Sequence, residues 1–235
     1  MKTGWYEIRL CLACGLRYPR EQGISHGVRC PVCLAETQLI ETYPLPNQDW
    51  TPFNDPSLHI EALLDNIRSA WNVGSIFRSA DGFGLKHLYL CGITSTPGND
   101  AVRKTSLGAE GSITWSYHKD AVLILRSLKE QGYKTFALEN DMKAISIKDI
   151  VLARRRRASD FENSAKEPKT ALKSRSPRRI GSNDKIVLII GNEATGVDPD
   201  LLKQCDEIVF IPMRGSKKSF NVAVAFAVAV SQLAL

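Results

Sequence analysis

The sequence contains no uninterrupted hydrophobic run long enough to cross a membrane. Its most apolar segment, Phe220–Leu235, is shorter than the roughly 20 residues that a spanning helix needs, and it includes Asn221, Ser231 and Gln232. The first ten residues also lack the apolar stretch and cleavage-site pattern of a secretory signal. We therefore expect a cytoplasmic protein with no membrane contact, in which Phe220–Leu235 forms a buried helix.

The common nucleotide-binding loops are missing as well. Gly191–Gly196 does not have the G-x-G-x-x-G spacing, and Gly215–Ser219 does not fit the G-x-x-x-x-G-K-[ST] pattern. These absences disfavour a dinucleotide-dependent dehydrogenase and a P-loop NTPase. They also disfavour a Rossmann-type methyltransferase, which would carry a glycine-rich turn after its first strand.

Positive charge is concentrated in one segment. The 235 residues include 31 Lys and Arg and 25 Asp and Glu, a net charge of +6. Residues 153–184 contain ten of the basic and four of the acidic residues, so they account for the whole excess. Because this segment has almost no apolar residues to bury, we expect a disordered insertion. It could contact a phosphate backbone or serve only as a solvated tether.

Cysteine is scarce outside the first 33 residues, which hold four of the six. They form two C-x-x-C pairs with fifteen residues between the pairs. Two such turns can direct four thiolates to one point, which is the tetrahedral ligand set of structural Zn²⁺. We therefore predict a zinc-ribbon-like module over residues 1–43, with reduced structural cysteines as the alternative. The predicted metal ligands are Cys11, Cys14, Cys30 and Cys33.

A proline-rich linker over residues 44–56 leads to a longer region, residues 57–235, in which apolar strands alternate with helical patterns. This alternation predicts an α/β fold with a mostly parallel sheet covered by helices on both faces. The predicted strands are 59–67, 86–91, 113–117, 133–138, 185–190 and 207–211. The predicted helices are 73–83, 101–107, 120–131, 198–205 and 219–235.

Three polar, glycine-containing turns lie where a predicted strand ends and a predicted helix begins. They are Asn72–Gly74, Gly191–Gly196 and Pro212–Asn221. Ligands of open α/β sheets bind outside the carboxyl ends of the strands, so these turns are candidates for a binding site. In the predicted helix 73–83, Arg78 lies opposite the apolar face, with Asp81 as the simplest ion-pair partner. From this pattern alone, Arg78 is either a functional cation or an ordinary surface charge.

The same segments resemble three sequence motifs of the SpoU/TrmH-type RNA 2′-O-ribose methyltransferases, which belong to the SPOUT superfamily. The resemblance runs from about Leu58 to the C-terminus, apart from the basic segment, and includes Lys104–Glu110 and Trp115. The chain departs from the family at Phe220, where leucine is usual. The resembling motifs are Asn72-Val-Gly-Ser-Ile-Phe-Arg78-Ser-Ala-Asp-Gly-Phe-Gly, Ile189-Ile-Gly-Asn-Glu193-Ala-Thr-Gly and Ile211-Pro-Met-Arg-Gly-Ser-Lys-Lys-Ser219-Phe-Asn221-Val-Ala-Val-Ala.

This resemblance implies an α/β fold with a C-terminal trefoil knot, and a homodimer whose active sites lie at the subunit interface. It implies S-adenosylmethionine as the methyl donor and a ribose 2′-hydroxyl of structured RNA, either tRNA or rRNA, as the acceptor. The residues that would line the cofactor pocket are Leu138, Gly191, Ile211 and Phe220. The residues that would form the catalytic cluster are Asn72, Arg78, Glu193, Ser219 and Asn221.

Methyl transfer from a sulfonium requires alignment of the ribose oxygen and loss of its proton. A guanidinium almost never deprotonates at neutral pH, so we interpret Arg78 as holding an RNA phosphate and stabilising the forming alkoxide. Ser219 and Asn221 are also typical helix N-caps. Two other functions remain open: a non-catalytic RNA-binding protein on a methyltransferase scaffold, and a zinc-ribbon adaptor that recruits protein partners.

Overall fold

The computed structural model describes residues 4–24, 27–45, 59–150 and 184–234. The chain divides into two compact units, Met1–Phe53 and Asn54–Leu235. Most of the predicted linker and nearly all of the basic segment lie outside the described residues. In the part of the chain that is described, no helix has the length and apolar character needed to cross a membrane.

The N-terminal unit contains a three-stranded antiparallel sheet. Strands β1 (Trp5–Cys11), β2 (Arg17–Glu21) and β3 (Thr37–Pro44) are arranged in the order β2-β1-β3. Each C-x-x-C pair closes a turn, in which the amide of Gly15 donates to the carbonyl of Cys11 and that of Leu34 to Cys30. Both turn residues have positive φ, 73° for Gly15 and 60° for Leu34, which lets the chain reverse directly after the cysteines.

The C-terminal unit is built on a seven-stranded sheet in which every pairing is parallel. The strand order is β6-β5-β4-β9-β7-β10-β8. The strands are β4 (His59–Asp65), β5 (His87–Cys91), β6 (Thr114–His118), β7 (Lys134–Leu138), β8 (Ile145–Ser146), β9 (Lys185–Ile190) and β10 (Glu207–Phe210). The helices are α1 (Ala70–Gly82), α2 (Asp100–Ser106), α3 (Ala121–Glu130), α4 (Pro199–Gln204) and α5 (Val222–Ala234). Residues 109–111 form a 3-10 turn, and residues 147–150 are helical up to the limit of the described range.

The two faces of this sheet are buried under different helices. Phe77 of α1 and Phe226 of α5 pack on one face, together with Leu64 and other strand residues. Leu125 of α3 and Leu201 of α4 pack on the opposite face, with the neighbouring strand positions. This arrangement confirms the predicted α/β class with a parallel sheet covered on both sides.

Each predicted strand and helix of this unit is present, but several ends were wrong. Helix α1 begins at Ala70, three residues early, because the Ser69 hydroxyl caps it by accepting a hydrogen bond from the Asn72 amide. Helix α5 begins at Val222, three residues late, because Asn221 lies outside the helix and caps it. Strand β4 ends at Asp65, since Asn66 has a φ of 56°. The two-residue strand β8 was not predicted, because so short a segment has no periodic pattern.

Candidate functional site

The candidate site lies along the carboxyl edge of the parallel sheet. Strands β4, β9, β7 and β10 are consecutive neighbours, so the loops that follow them meet at the same edge. Each of the three polar turns singled out in the sequence belongs to one of these loops or to the helix that follows it. The parallel topology therefore brings together segments that are far apart in the chain.

Glu193 joins the loop after β9 to the start of α1. Its Oε1 accepts hydrogen bonds from the Asn72 side-chain amide at 2.8 Å and from the Ser69 backbone amide at 3.1 Å. Its Oε2 accepts from the backbone amide of Arg68 at 2.8 Å. Burial raises the pKa of this carboxyl, but the hydrogen bonds from Arg68, Asn72 and Ser69 outweigh burial and lower the pKa overall. Glu193 is therefore an ionised carboxylate, held by the backbone amides that precede α1 and by the side chain of Asn72.

Asn221 connects the same cluster to the last helix. Its side-chain nitrogen donates to Oδ1 of Asn72 at 3.1 Å, and its side-chain oxygen accepts from the backbone amide of Ala223 at 2.9 Å. Asn221 thus caps α5, and its side chain also belongs to the polar cluster. Asn72 lies between Asn221 and Glu193 and bonds to both.

The loop after β9 has a tightly defined backbone. The amide and carbonyl of Asn192 exchange two 2.9 Å hydrogen bonds with Gly196, and the Asn192 side chain donates to the carbonyl of Asn66 at 2.7 Å. Any side chain at Gly191 would overlap the backbone of Gly196 and Val197. Gly191 is therefore required by the close approach of two backbone segments, which shapes the wall of the adjoining cavity.

A cavity of about 770 Å³ adjoins the polar cluster, between the loops that follow β7, β9 and β10. All four residues predicted to line a cofactor pocket line this cavity, namely Leu138, Gly191, Ile211 and Phe220. Three of the predicted catalytic residues line it too: Glu193, Ser219 and Asn221. The structure thus brings these seven predicted residues together around one cavity.

Two polar residues of the cavity, Glu139 and Asn140, were missed in the sequence. Oε2 of Glu139 accepts from the backbone amide of Val197 at 3.0 Å, and the Asn140 side chain donates to the carbonyl of Lys218 at 3.3 Å. They connect the loop after β7 to those after β9 and β10. Their position directly after a buried strand is the signal that could have revealed them.

Arg78 stands apart from the other predicted catalytic residues. It is exposed on α1 and does not line the cavity. Six helical residues separate it from Asn72, a distance of roughly 9 Å along the axis. Within the described ranges Arg78 has no hydrogen bond or ion pair, so the alternative in which Asp81 pairs with it is not observed. The structure therefore joins Asn72, Glu193 and Asn221, places Ser219 beside them, and leaves Arg78 outside this group.

The four predicted metal ligands cluster at one end of the N-terminal sheet. Their sulfur atoms all lie within 4.8 Å of one another, with 3.4 Å between Cys11 and Cys33 and 3.6 Å between Cys14 and Cys30. Four sulfurs bound to Zn²⁺ at about 2.3 Å would lie roughly 3.8 Å apart. The donor set and its spacing therefore fit a tetrahedral zinc ion.

Comparison with known proteins agrees with this geometry. The model of the SpoU rRNA Methylase family matches residues 59–231. A 23S rRNA (guanosine(2553)-2′-O)-methyltransferase of Bacillus subtilis is 29% identical over 172 residues, covering 73% of this chain and 56% of that protein. A tRNA (guanosine(18)-2′-O)-methyltransferase of Thermus thermophilus is 26% identical over 169 residues, covering 72% of this chain and 71% of that protein.

The fold also matches solved structures. The SpoU methyltransferase AviRb from Streptomyces viridochromogenes, in complex with AdoMet, aligns with a TM-score of 0.58 at 19% identity, covering 85% of this chain and 68% of that one. The chain spans about half the length of several curated relatives, 56% of the Bacillus protein and 53% of a Xanthomonas axonopodis one. The family match extends from β4 into α5 and includes every loop of the candidate site. The chain belongs to the SpoU rRNA methylase family.

Proposed function

We propose that this protein transfers a methyl group from S-adenosylmethionine to a ribose 2′-hydroxyl of structured RNA, either tRNA or rRNA. The observation that carries this proposal is the 770 Å³ cavity lined by Glu193 and Asn221, whose side chains are both hydrogen-bonded to Asn72. Its volume falls within the roughly 300–1,000 Å³ of small-molecule sites. The names of the Bacillus and Thermus relatives, a 23S rRNA and a tRNA 2′-O-methyltransferase, support the acceptor.

The cavity has the chemistry that the methyl donor requires. Leu138, Ile211 and Phe220 provide an apolar wall suited to an adenine ring, while Glu139 and the loop after Gly191 provide polar groups for the ribose and the cationic methionine portion. When bound, S-adenosylmethionine supplies a methyl group that is electrophilic because it is attached to a positively charged sulfur.

The residues of the chain would act by positioning and by electrostatics. Ser219 and Asn221 would orient the acceptor ribose at the cavity, and Glu193 would keep the loops in register through Asn72. Arg78 would hold a phosphate of the RNA and stabilise the negative charge that develops on the ribose oxygen. The proton of the hydroxyl would leave through that phosphate or through water, because the guanidinium stays protonated.

We propose that the protein acts as a homodimer. Val224 of α5 is 48% exposed, and it lines a groove between α1 and α5 together with Ala227, Val228 and Ser75. An apolar helix surface of this kind is suited to association.

In such a dimer, α1 of the second copy would lie near the cavity of the first. Its Arg78 would then reach a cavity that Arg78 of the first copy does not line. Sedimentation equilibrium tests this proposal, with Val224→Asp expected to give monomers.

We also propose that Cys11, Cys14, Cys30 and Cys33 bind a structural Zn²⁺ ion. The clustering of their sulfur atoms supports this, as does the small size of the N-terminal unit, whose single sheet buries little apolar surface.

Because the proposed substrates are tRNA or rRNA, we place the activity in the cytoplasm.

The proposed activity can be tested by tritium transfer from methyl-labelled S-adenosylmethionine to bulk tRNA and to rRNA from cells that lack this protein. Incorporation into 2′-O-methyl nucleotides of one pool is expected. No incorporation into either pool would reject the enzymatic function. In a parallel calorimetric titration, failure to bind S-adenosylmethionine with RNA binding retained would favour the non-catalytic RNA-binding protein.

A further inference from the structure

The first turn of α1 exposes a large aromatic side chain next to the polar cluster. Trp71 is 55% exposed, although it directly precedes Asn72, whose side chain bonds to both Glu193 and Asn221. Neither the sequence motifs nor the proposed mechanism gives this residue a role. Trp71 is thus one residue along the chain from the proposed active site, although its side chain does not line the cavity.

Trp71 and Arg78 share the outer ridge of α1. Seven residues make nearly two full turns, so the two side chains point in the same direction and lie roughly 10 Å apart along the axis. Both residues are exposed, and Ser75 lies between them on the same ridge. The opposite face of the helix is buried through Val73, Ile76, Phe77 and Ala80. The ridge therefore presents, on one side of the helix, an aromatic ring and a cation that has no hydrogen bond or ion pair among the described residues.

The backbone that carries the ring is rigidly held. The carbonyl oxygen of Trp71 accepts hydrogen bonds from the hydroxyl of Ser75 at 3.0 Å and from that of Thr105 at 3.1 Å. Gly74 packs so closely on α2 that any side chain there would overlap Thr105 and the carbonyl of Val102. A ring fixed at the start of a packed helix is a preorganised contact, with little backbone freedom to lose on binding.

We propose that Trp71 is a nucleobase platform: its indole stacks on an unpaired base of the RNA substrate while Arg78 holds a nearby phosphate. This inference rests on the proposed function and narrows its substrate class to a nucleotide in a single-stranded loop, bulge or end. Bases in an RNA duplex are stacked on each other and do not offer a free face, whereas unpaired bases commonly stack on aromatic side chains. Such stacking tolerates any base, since each base has a π-face.

The test compares Trp71→Ala and Trp71→Phe with Trp115→Ala, a matched control on the edge strand β6, where the tryptophan is 37% exposed. Binding of poly(A), of the poly(A)·poly(U) duplex and of unmodified bulk tRNA and rRNA is measured with the full chain. Trp71→Ala is expected to weaken binding of poly(A) and of the substrate pool about tenfold. Trp71→Phe should restore most of that loss, and duplex binding and affinity for S-adenosylmethionine should stay unchanged.

Equal binding and methylation by wild type and Trp71→Ala would overturn the platform and leave the proposed function intact. Loss of binding that accompanies dissociation of the oligomer, measured by sedimentation, would also overturn it, because Trp71 would then be a contact between copies. If the wild-type protein neither binds nor methylates any of these RNAs, the proposed function itself fails, and the platform fails with it.

Discussion

The side-chain amide of Asn72 donates a 2.8 Å hydrogen bond to Oε1 of Glu193, which joins the start of α1 to the loop after β9. We expect Glu193→Gln to break this connection. The carboxylate accepts three hydrogen bonds, from the backbone amides of Arg68 and Ser69 and from the side chain of Asn72. A glutamine offers only one acceptor oxygen, and its NH₂ group would point at one or more of these donors. Loss of about 1–3 kcal/mol of unfolding free energy is expected in urea denaturation at neutral pH, with a lower rate of methyl transfer.

The same variant has an expected pH dependence. Because the pKa of Glu193 is lowered in the folded protein, its carboxylate stabilises the fold above the ordinary value of about 4.3, and this contribution is lost as the pH falls through the folded pKa. The difference in unfolding free energy between wild type and Glu193→Gln should shrink as the pH falls from about 7 toward 3. Glu130→Gln, an exposed substitution on α3, is measured alongside as the control. A constant difference over this range would contradict the assignment.

Arg78→Ala should slow methyl transfer by about 10²–10³-fold while leaving the affinity for S-adenosylmethionine unchanged, because the proposed partner of Arg78 is an RNA phosphate and not the cofactor. Arg78→Lys should recover only part of the rate, because an ammonium lacks the planar fork of the guanidinium. Single-turnover transfer and calorimetric titration measure the two quantities. Arg126→Ala on α3 is the control, and a loss of cofactor binding in Arg78→Ala would count against its assignment to the RNA.

Two glycines of α1 should respond in opposite directions to alanine. Gly74→Ala places a methyl group against Thr105 and the carbonyl of Val102, so we expect a loss of about 1–3 kcal/mol in unfolding free energy. Gly82→Ala, in the same helix, has open space around the new methyl group and should gain about 0.5–1 kcal/mol. Thermal or urea denaturation compares the two directly. A stabilising Gly74→Ala would show that α1 and α2 are packed less closely than described.

Zinc content provides an independent prediction. The purified protein should contain about one Zn²⁺ per chain by elemental analysis, and Cys14→Ser or Cys33→Ser should reduce that content without unfolding the C-terminal unit. Cys205→Ser, a cysteine of the C-terminal unit outside this cluster, should keep the metal. Equal zinc contents in all three variants would exclude the four-cysteine site.

The sequence was sufficient for the sheet but not for every part of the site. Strands β4 and β9 are almost entirely buried, so their apolar runs predicted a parallel sheet correctly. Strands β1–β3 were not predicted, although Tyr6, Ile8 and Leu10 alternate with Glu7 and Arg9 along β1. Strands β2 and β3 are exposed or half-buried throughout and contain no long apolar run.

Within the site, residues that belong to recognisable motifs were located. Glu139 was missed because its only signal is its position after a buried strand, which is weak for a single carboxylate outside any motif. Helical periodicity correctly placed Arg78 on the outer face of α1. Periodicity gives a direction relative to the core, however, and no distance to a cavity. The separation between Arg78 and the cavity became visible only in three dimensions.

The position of β9 in the sheet has a consequence for synthesis. This strand lies between β4 and β7, yet the ribosome makes it after both. When a nascent chain has been made as far as β8, the place of β9 between β4 and β7 is still empty. The facing edges of β4 and β7 therefore stay unpaired until β9 has been made. Pairing between residues this distant in the chain is slow to form. Newly made chains should thus pass through an aggregation-prone interval that ends when β9 has been made and has paired with both neighbours.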